Sequence, residues 1–218
     1  MLPPGRLQAA LAAAPLVSYS GYSYRIIEER WRHDPLSTIG AFENGGRYNP
    51  PRTFPVLYTA GSRITALRET QALFDTADGR LADVPRNPEL LLTLEIALHA
   101  VLDVTHPDLC AQLGTSRDEL ISATPSRFIL NARGNTTPTQ DLGVACYATE
   151  RISALKVPSA AHLNGYCLDI FPDRLFLGEH VRIRDEHRRL RDEIQGRSPP
   201  CPDFQRPRRP QSSPIRSN

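Results

Sequence analysis

The sequence predicts a single α+β domain. Its length of 218 residues fits one domain, and it contains no internal repeat. Residues 90–98 alternate between apolar and polar side chains, which is typical of a half-buried strand. Residues 62–76 and 139–154 instead carry apolar side chains at helical spacing. Because the predicted strands and helices do not alternate regularly along the chain, α+β is favoured over a doubly wound α/β fold.

Strands are predicted where short runs are rich in β-branched, aromatic or other apolar side chains. Residues 22–27 form the first such run, and residues 56–59 form a short run that we expect to be buried. In the alternating segment one face consists of Leu92, Leu94, Ile96 and Leu98, and residues 100–104 extend or follow this strand. The shorter candidates are residues 155–157, 167–171 and 181–184.

Helices are predicted from helical spacing and from residues that begin or end them. Residues 7–14 form a short helix that Pro15 ends. Ser62 is a plausible N-cap for a helix that runs to about Thr76. Its expected buried side consists of Ile64, Leu67, Leu73 and Phe74. The other predicted helices are residues 107–113, 117–122, 139–154 and 186–194, and the predicted loops are residues 34–55, 78–88 and 133–138.

Composition limits the classes of function. The net charge of +2 argues against broad binding to nucleic acid or to membrane surfaces. The apolar residues 7–17 are too short to span a membrane and too weakly basic for a signal peptide, so we expect a cytoplasmic protein. The four cysteines form neither a Cys-x-x-Cys pair nor a cluster with histidines. We therefore expect reduced thiols and no metal site.

The predicted organisation has three parts: a helical extension (residues 1–19), a globular domain (residues 20–195) and a tail (residues 196–218). The tail is rich in Pro, Arg and Ser and poor in large apolar residues. It cannot bury enough surface to offset the entropy of ordering, so we expect it to be disordered. The alternative is a basic tail that docks on nucleic acid through Arg206, Arg208, Arg209 and Arg216.

Residues 45–51 form the first candidate binding segment. Gly45 and Gly46 permit a close approach between backbone and ligand. Arg47 then presents a planar, permanently charged group that suits phosphate oxygens. An ordinary turn with an exposed arginine explains this segment equally well when it is considered alone.

Three further candidates surround this segment. Arg25 follows Tyr24 on a predicted strand, and Tyr58 lies in a predicted buried strand. Glu69 lies on a predicted helix, on a side that it shares with Ala66, and so it is expected to face partly apolar surroundings. Taken singly, these could be an ion-pair partner, a core aromatic residue and a surface charge.

In this order the residues resemble the RES-domain family. The resemblance rests on Tyr24-Arg25, on Gly45-Gly46-Arg47-Tyr48-Asn49-Pro50, on Tyr58 and on Glu69. It continues through residues 102–105, 139–143 and 155–160 and then Asn164, and it covers about residues 20–184. The family is named for Arg, Glu and Ser, which correspond here to Arg47 (with Arg25 as a second arginine), Glu69 and Ser159. Tyr48 stands where the family often has Trp.

The resemblance implies the toxin of a toxin–antitoxin system that cleaves the nicotinamide–ribose bond of NAD by hydrolysis or phosphorolysis. It implies a fold like that of the diphtheria-toxin-like ADP-ribosyltransferases. It also implies an antitoxin partner with an Xre-type helix-turn-helix domain, through which alone the protein would meet nucleic acid. NAD is then the substrate, and no other cofactor and no metal are expected.

The resemblance also suggests roles for the candidate residues. Arg25 and Arg47 would neutralise the pyrophosphate, because a guanidinium can bind phosphate oxygens in pairs. Tyr58 would stack on the nicotinamide, and Glu69 would offset the positive charge that develops on the ribose. Ser159 and Asn164 would support these groups by hydrogen bonding. The remaining residues expected to bind NAD are Tyr24, Gly46, Tyr48 and Asn49.

Three alternatives remain open at this stage. The first is an ADP-ribosyltransferase that modifies a protein target. The second is a nucleic-acid-directed toxin guided by the basic tail, whose binding would weaken steeply with salt. The third is a catalytically silent homologue that serves as a binding module, against which the joint presence of Arg25, Arg47, Tyr58 and Glu69 counts.

Overall fold

The computed structural model describes residues 1–71, 73–75, 81–83, 87–122, 127–185 and 189–197, with the backbone alone for 73–75 and 81–83. Its strands are β1 (Val17–Glu28), β2 (Leu57–Ala60), β3 (Leu73–Asp75), β4 (Leu81–Asp83), β5 (Glu89–Asp103), β6 (Ala154–Pro158), β7 (Tyr166–Ile170), β8 (His180–Ile183) and β9 (Glu193–Gln195). Its helices are α1 (Pro4–Ala13), α2 (Ile39–Asn44), α3 (Arg63–Glu69), α4 (Pro107–Gln112), α5 (Arg117–Ile121), α6 (Arg127–Ala132) and α7 (Pro138–Ala148). Short 3₁₀ turns lie at Glu29–Trp31 and Pro172–Arg174.

Seven of these strands form one sheet in the order β1-β2-β7-β6-β5-β8-β9, and β3 pairs with β4 apart from it. The pairing is mainly antiparallel, and β6 runs parallel to β5. β1 also pairs with β5 over most of its length and meets β2 at the single pair Tyr24–Ala60. Strands β1, β2, β7, β6 and β5 therefore form a closed circuit. The mixed α+β architecture predicted from the sequence is confirmed.

The two faces of the sheet bury two separate apolar clusters. The first lies against α1, α4 and α7 and includes Leu102, Leu155 and Val157. The second includes Leu92, Leu168 and Ile170 on the opposite face. Since successive residues of a strand point to opposite faces, Cys167 and Asp169 of β7 lie on the face of the first cluster. This face carries the candidate site.

Most strands predicted from the sequence are confirmed, and the apolar face of β5 is buried as expected. The helix after Ser62 is shorter than predicted, because it ends at Glu69 and Gln71 has a φ of 59°. Ile64 is 41% exposed rather than buried, since Thr65 and Ala66 face the interior instead. The side chains of residues 73 and 74 lie outside the described part, as does Thr76.

Other boundaries also differ. The segment 34–55 contains α2, and the segment 78–88 contains β4, although both were expected to be loops. The helix that begins near Thr139 ends at Ala148, and Glu150 has a φ of 56°. Residues 193–195 form a strand paired with β8 rather than a helix, because pairing with an open sheet edge outweighs their helical pattern.

The N-terminal helix packs into the main domain. Leu7 and Leu11 of α1 are buried in the same cluster as Leu142 of α7. β1 begins at Val17, so the boundary placed between residues 19 and 20 falls within a strand. At the other end, Gly196 donates a backbone hydrogen bond of 2.8 Å to the carbonyl of Glu179. Residues 198–218, and with them the prediction of a disordered tail, lie outside the described residues. Within the described ranges, none of the helices is both long and apolar enough to cross a membrane.

Candidate functional site

The loop that carries Arg47 is shaped by the hydroxyl group of Tyr58. This hydroxyl donates a hydrogen bond of 2.7 Å to Oδ1 of Asn49 and accepts one of 3.0 Å from the backbone N–H of Tyr48. A side chain at Gly46 would overlap the Tyr58 ring, so glycine is required for this contact. Burial raises the pKa of the Tyr58 phenol, which therefore stays protonated. The hydroxyl of Tyr58 thus makes its hydrogen bonds within the protein. The side chain as a whole is only partly buried.

Helix α7 holds the same loop through Gln140, which is fully buried. Its Nε2 donates hydrogen bonds of 3.1 Å to the carbonyl of Gly46 and 3.2 Å to that of Asn49. A capping box between Thr137 and Gln140 begins the helix and fixes the position of this amide. Gly143 lets the helix approach so closely that a Cβ there would overlap a carbonyl of the loop. The backbone of the loop is therefore fixed from two sides.

The side chains of Tyr48 and Asn49 have structural roles in this loop. Tyr48 is 1% exposed and Asn49 is fully buried. Nδ2 of Asn49 donates hydrogen bonds to the carbonyls of Ala41 and Phe54, at 2.8 and 3.4 Å. In this structure both side chains point into the protein, so any contact with a ligand stays a prediction. They hold the loop that presents Arg47, and the buried Gly46 contributes its backbone to the same task.

Arg47 is oriented by the end of α5. Its Nη1 donates hydrogen bonds of 3.2 and 3.1 Å to the carbonyls of Leu120 and Ser122, at the C-terminal end of this helix. The guanidinium remains partly exposed. Its positive charge lowers the pKa values of Asp169 and Cys167, where burial raises them. The charge of Arg47 therefore acts on both of these side chains.

Glu69, the last residue of α3, receives three hydrogen bonds on Oε1. They come from Oγ of Ser159 at 2.5 Å and from the backbone N–H groups of Ala160 and Ala161 at 3.0 and 3.4 Å. The negative charge of this carboxylate also raises the pKa of the Cys167 thiol, which burial raises most. Donors that converge on one oxygen suit a charged carboxylate and fix its direction. The structure thus brings Glu69 and Ser159 together, as the resemblance implies.

The β6–β7 turn that carries Ser159 is fastened to α3. His162 donates its backbone N–H to Oγ of Ser159 at 3.0 Å, and its Nδ1 lies 2.9 Å from Oγ1 of Thr65. Ser62 caps α3 by accepting a hydrogen bond of 3.1 Å from the backbone of Thr65. Asn164 is exposed on the same turn. Its expected supporting role therefore stays a prediction.

Asp169 connects Glu69 and Arg47. It pairs with Tyr58 across β2 and with Leu155 across β6, and it is 1% exposed. Burial raises the pKa of Asp169 well above its usual value, the negative charge of Glu69 raises it further, and the positive charge of Arg47 lowers it. An anion and a cation that lie far apart in the chain thus both act on the same carboxyl group of β7.

Arg25 does not join this cluster. It pairs with Leu92 of β5 and so belongs to the opposite face of the sheet from Tyr24. Its Nη1 donates to the carbonyl of Tyr58 at 3.2 Å, and its Nη2 donates to that of Ser37 at 2.8 Å. Burial lowers the pKa of this guanidinium to about 10. In this structure Arg25 of β1 reaches the carbonyl of Tyr58 on β2, and the expectation that it contacts phosphate stays a prediction.

Tyr24 lies on the face of the site. Its pair partner is Ala60, which in turn pairs with Cys167. The guanidinium of Arg63, at the start of α3, lies 5.6 Å from the centroid of the Tyr24 ring. Tyr24 is partly buried, so it remains a candidate for contact with a ligand.

Two residues of the site, Asp169 and Gln140, were not singled out from the sequence. The signal for Asp169 was a carboxylate inside the apolar run of residues 167–171, which was itself predicted as a strand. A buried carboxylate is costly unless it is paired or used. The signal for Gln140 was its place three residues after Thr137, the spacing of a capping box.

Comparison with known proteins finds three relatives that share one name. They are the NAD(+) phosphorylases MbcT of Mycobacterium bovis and of two strains of Mycobacterium tuberculosis, each 36% identical over 91 residues. The match covers 40% of this chain and 47% of each relative, so the chain spans about half the length of the curated relatives it matches.

A solved structure and a family model match over more of the chain. The structure is that of the M. tuberculosis MbcT–MbcA toxin–antitoxin complex, with a TM-score of 0.57 and 22% identity. That comparison covers 87% of this chain and 91% of the other, and it shows the shared fold. The family model, described as the RES domain, matches residues 23–192 and so includes every residue of the site. The chain therefore belongs to the RES domain family.

Proposed function

We propose that this protein cleaves the nicotinamide–ribose bond of NAD and acts as the toxin of a toxin–antitoxin pair. The observation that carries the proposal is the carboxylate of Glu69, whose direction Ser159 and backbone N–H groups fix, together with Arg47 on a fixed loop, whose charge acts on Asp169 as that of Glu69 does. NAD presents a pyrophosphate and a ribose that becomes positively charged as nicotinamide leaves. One cation and one fixed anion match these two charges. The relatives named NAD(+) phosphorylase support this substrate.

In the proposed reaction Glu69 faces the ribose. The nicotinamide of NAD is already a good leaving group, so no general acid is needed to help it leave. The carboxylate of Glu69 offsets the charge of the oxocarbenium-like ribose, a contribution of about 10²–10³ in rate for a preorganised group. Ser159 fixes the direction of this carboxylate through its hydrogen bond of 2.5 Å. We assign Ser159 to positioning.

Arg47 and Tyr58 would bind the remainder of the dinucleotide. The guanidinium of Arg47 keeps part of its surface exposed and is fixed by the carbonyls of Leu120 and Ser122, so it can meet phosphate oxygens without reorganising. The Tyr58 hydroxyl is used within the protein, so its contact with nicotinamide would be made by the ring. Tyr24 lies on the same face and can contribute a second aromatic surface.

The proposal also includes a relationship in fold to other enzymes and a protein partner. A mixed sheet with a catalytic glutamate supports a relationship to the diphtheria-toxin-like ADP-ribosyltransferases. The likeness in fold to the toxin chain of a toxin–antitoxin complex supports an antitoxin partner. We propose that this partner carries an Xre-type helix-turn-helix domain and that the protein meets nucleic acid through it.

The test is to incubate the purified full chain with NAD, with and without inorganic phosphate, and to identify the products by mass. Free nicotinamide with ADP-ribose indicates hydrolysis, and free nicotinamide with phosphorylated ADP-ribose indicates phosphorolysis. Glu69→Gln should abolish both, whereas the matched control Glu150→Gln, on a side chain that is 73% exposed, should not. ADP-ribose found only on an added protein would favour the transferase alternative. Failure to consume NAD would contradict the proposal.

A further inference from the structure

Asp169 lies under the site rather than in its opening. It is flanked by Tyr58 on β2 and by Leu155 on β6, and its side chain shares a face with Cys167. Only 1% of the residue is exposed. It therefore cannot contact a bound dinucleotide directly, and any effect on the reaction must act through its neighbours.

The carboxyl group of Asp169 lacks the partners that a buried charge requires. Its Oδ1 is inaccessible to solvent and has no hydrogen-bond partner within the described residues. By contrast, the buried Glu179 accepts hydrogen bonds from the backbone of His99, Ala100 and Phe176 and from Ser153. An ionised carboxylate without such donors is strongly unfavourable inside a protein, so it keeps a proton instead.

The charges around Asp169 act in opposite directions. The titratable and charged groups that interact with it come from α3, β2, β7 and the loop at residues 45–50, and they are Glu69, Tyr58, Cys167, Arg47 and Tyr48. Burial is the largest cause of the raised pKa of Asp169, and the negative charge of Glu69 is the second. Arg47 lowers it but does not offset the other two. Burial and the neighbouring carboxylate of Glu69 thus both favour the uncharged form of Asp169.

We propose that the carboxyl group of Asp169 is uncharged in the working protein, so that the charges of Glu69 and Arg47 remain available to the substrate. This inference rests on the proposed cleavage of NAD. An ionised Asp169 would attract the guanidinium of Arg47 and compete with the pyrophosphate. It would also repel the carboxylate of Glu69. The neutral form fills the same space without attracting Arg47 or repelling Glu69.

The first test compares the pH dependence of NAD cleavage in the wild type and in Asp169→Asn, a neutral side chain of the same shape. At neutral pH, kcat/KM should fall by no more than about threefold, since the charge is unchanged. As pH rises and Asp169 ionises, the KM of the wild type should rise by about tenfold, and that of Asp169→Asn should stay nearly constant. The two proteins differ only at this carboxyl group, so the difference between their pH profiles reports on Asp169 and on the groups that its charge affects. Loss of cleavage in a folded Asp169→Asn protein, as in Glu69→Gln, would overturn the proposal.

The second test needs no activity. A carboxyl group whose pKa is raised by folding favours the folded state at low pH, and this advantage is lost as pH rises from the unfolded toward the folded pKa. The unfolding constant of the wild type should therefore rise, relative to that of Asp169→Asn, by about tenfold per pH unit in this range. A relative unfolding constant that stays flat or falls would overturn the proposal, and so would an Asp169→Asn chain that fails to fold.

Asp103→Asn is the matched control, because Asp103 is a buried carboxylate with donors. Burial alone would raise the pKa of Asp103, but hydrogen bonds from Lys156 and Thr105 outweigh burial and lower it. Asp103→Asn should be less stable than the wild type by an amount that is constant near neutral pH and shrinks in acid. If the wild type does not cleave NAD, the proposed function fails, and the unfolding measurements still decide the charge of Asp169.

Discussion

Oγ of Ser159 donates a hydrogen bond of 2.5 Å to Oε1 of Glu69, although the two residues are 90 positions apart in the chain. Ser159 lies at the end of β6, and Glu69 lies at the end of α3. The sheet order, in which β7 separates β2 from β6, brings these two ends to one place. The hydrogen bond from Ser159 therefore fixes the orientation of the Glu69 carboxylate.

We expect Ser159→Ala to lower kcat for NAD cleavage by about 10-fold to 100-fold with little change in KM, because the freed carboxylate is no longer preorganised. Steady-state kinetics with NAD measures both constants. Ser18→Ala, at an exposed serine of β1, is the matched control and should behave as the wild type. A KM effect alone would indicate that Ser159 binds substrate instead.

Tyr58→Phe should destabilise the protein by about 1–3 kcal/mol, because Oδ1 of Asn49 and the backbone N–H of Tyr48 lose a buried partner. KM for NAD should also rise, since the loop that presents Arg47 loosens. The ring is retained, so kcat should change little. Urea denaturation measures the first effect and steady-state kinetics the second. An unchanged free energy of unfolding would show that water replaces the hydroxyl.

Arg25→Leu should lower the free energy of unfolding by about 2–3 kcal/mol, since the carbonyls of Tyr58 and Ser37 lose a charged donor. Arg47→Ala should instead raise KM for NAD and lower the free energy of unfolding by less than Arg25→Leu does, because its hydrogen bonds to two carbonyls are more exposed. Chemical denaturation of both variants separates the two roles. A stable Arg25→Leu protein with a raised KM would support the direct phosphate contact expected from the sequence.

Glu179→Ala should destabilise the protein by about 3–5 kcal/mol, because four donors lose their acceptor at once. The residue joins the β5 backbone to the segment before β8 and lies apart from the Glu69 cluster. The fraction that remains folded should therefore keep the wild-type kcat. Kinetics normalised to folded protein, determined by circular dichroism, tests this separation. A lower kcat per folded molecule would count against it.

The sequence alone was sufficient to predict the elements that depend on a local pattern of residues. The alternation in β5, the Ser62 cap and the two-glycine loop before Arg47 depend on neighbouring residues, and each was found. The rest depends on contacts between distant segments. The neighbours of Asp169 follow from the order β2-β7-β6, which no local pattern encodes. Likewise Tyr24 and Arg25 were assigned to one site, although adjacent residues of a strand point to opposite faces.

The most direct test of the account is the rate at which Glu69→Gln releases nicotinamide from NAD, measured beside the wild type with both proteins shown to be folded. The substitution keeps the size of the side chain and its hydrogen-bonding capacity and removes its charge. We expect the rate to fall by about 10²–10³, the loss typical of a preorganised electrostatic group. A folded Glu69→Gln protein that releases nicotinamide as fast as the wild type would contradict the account.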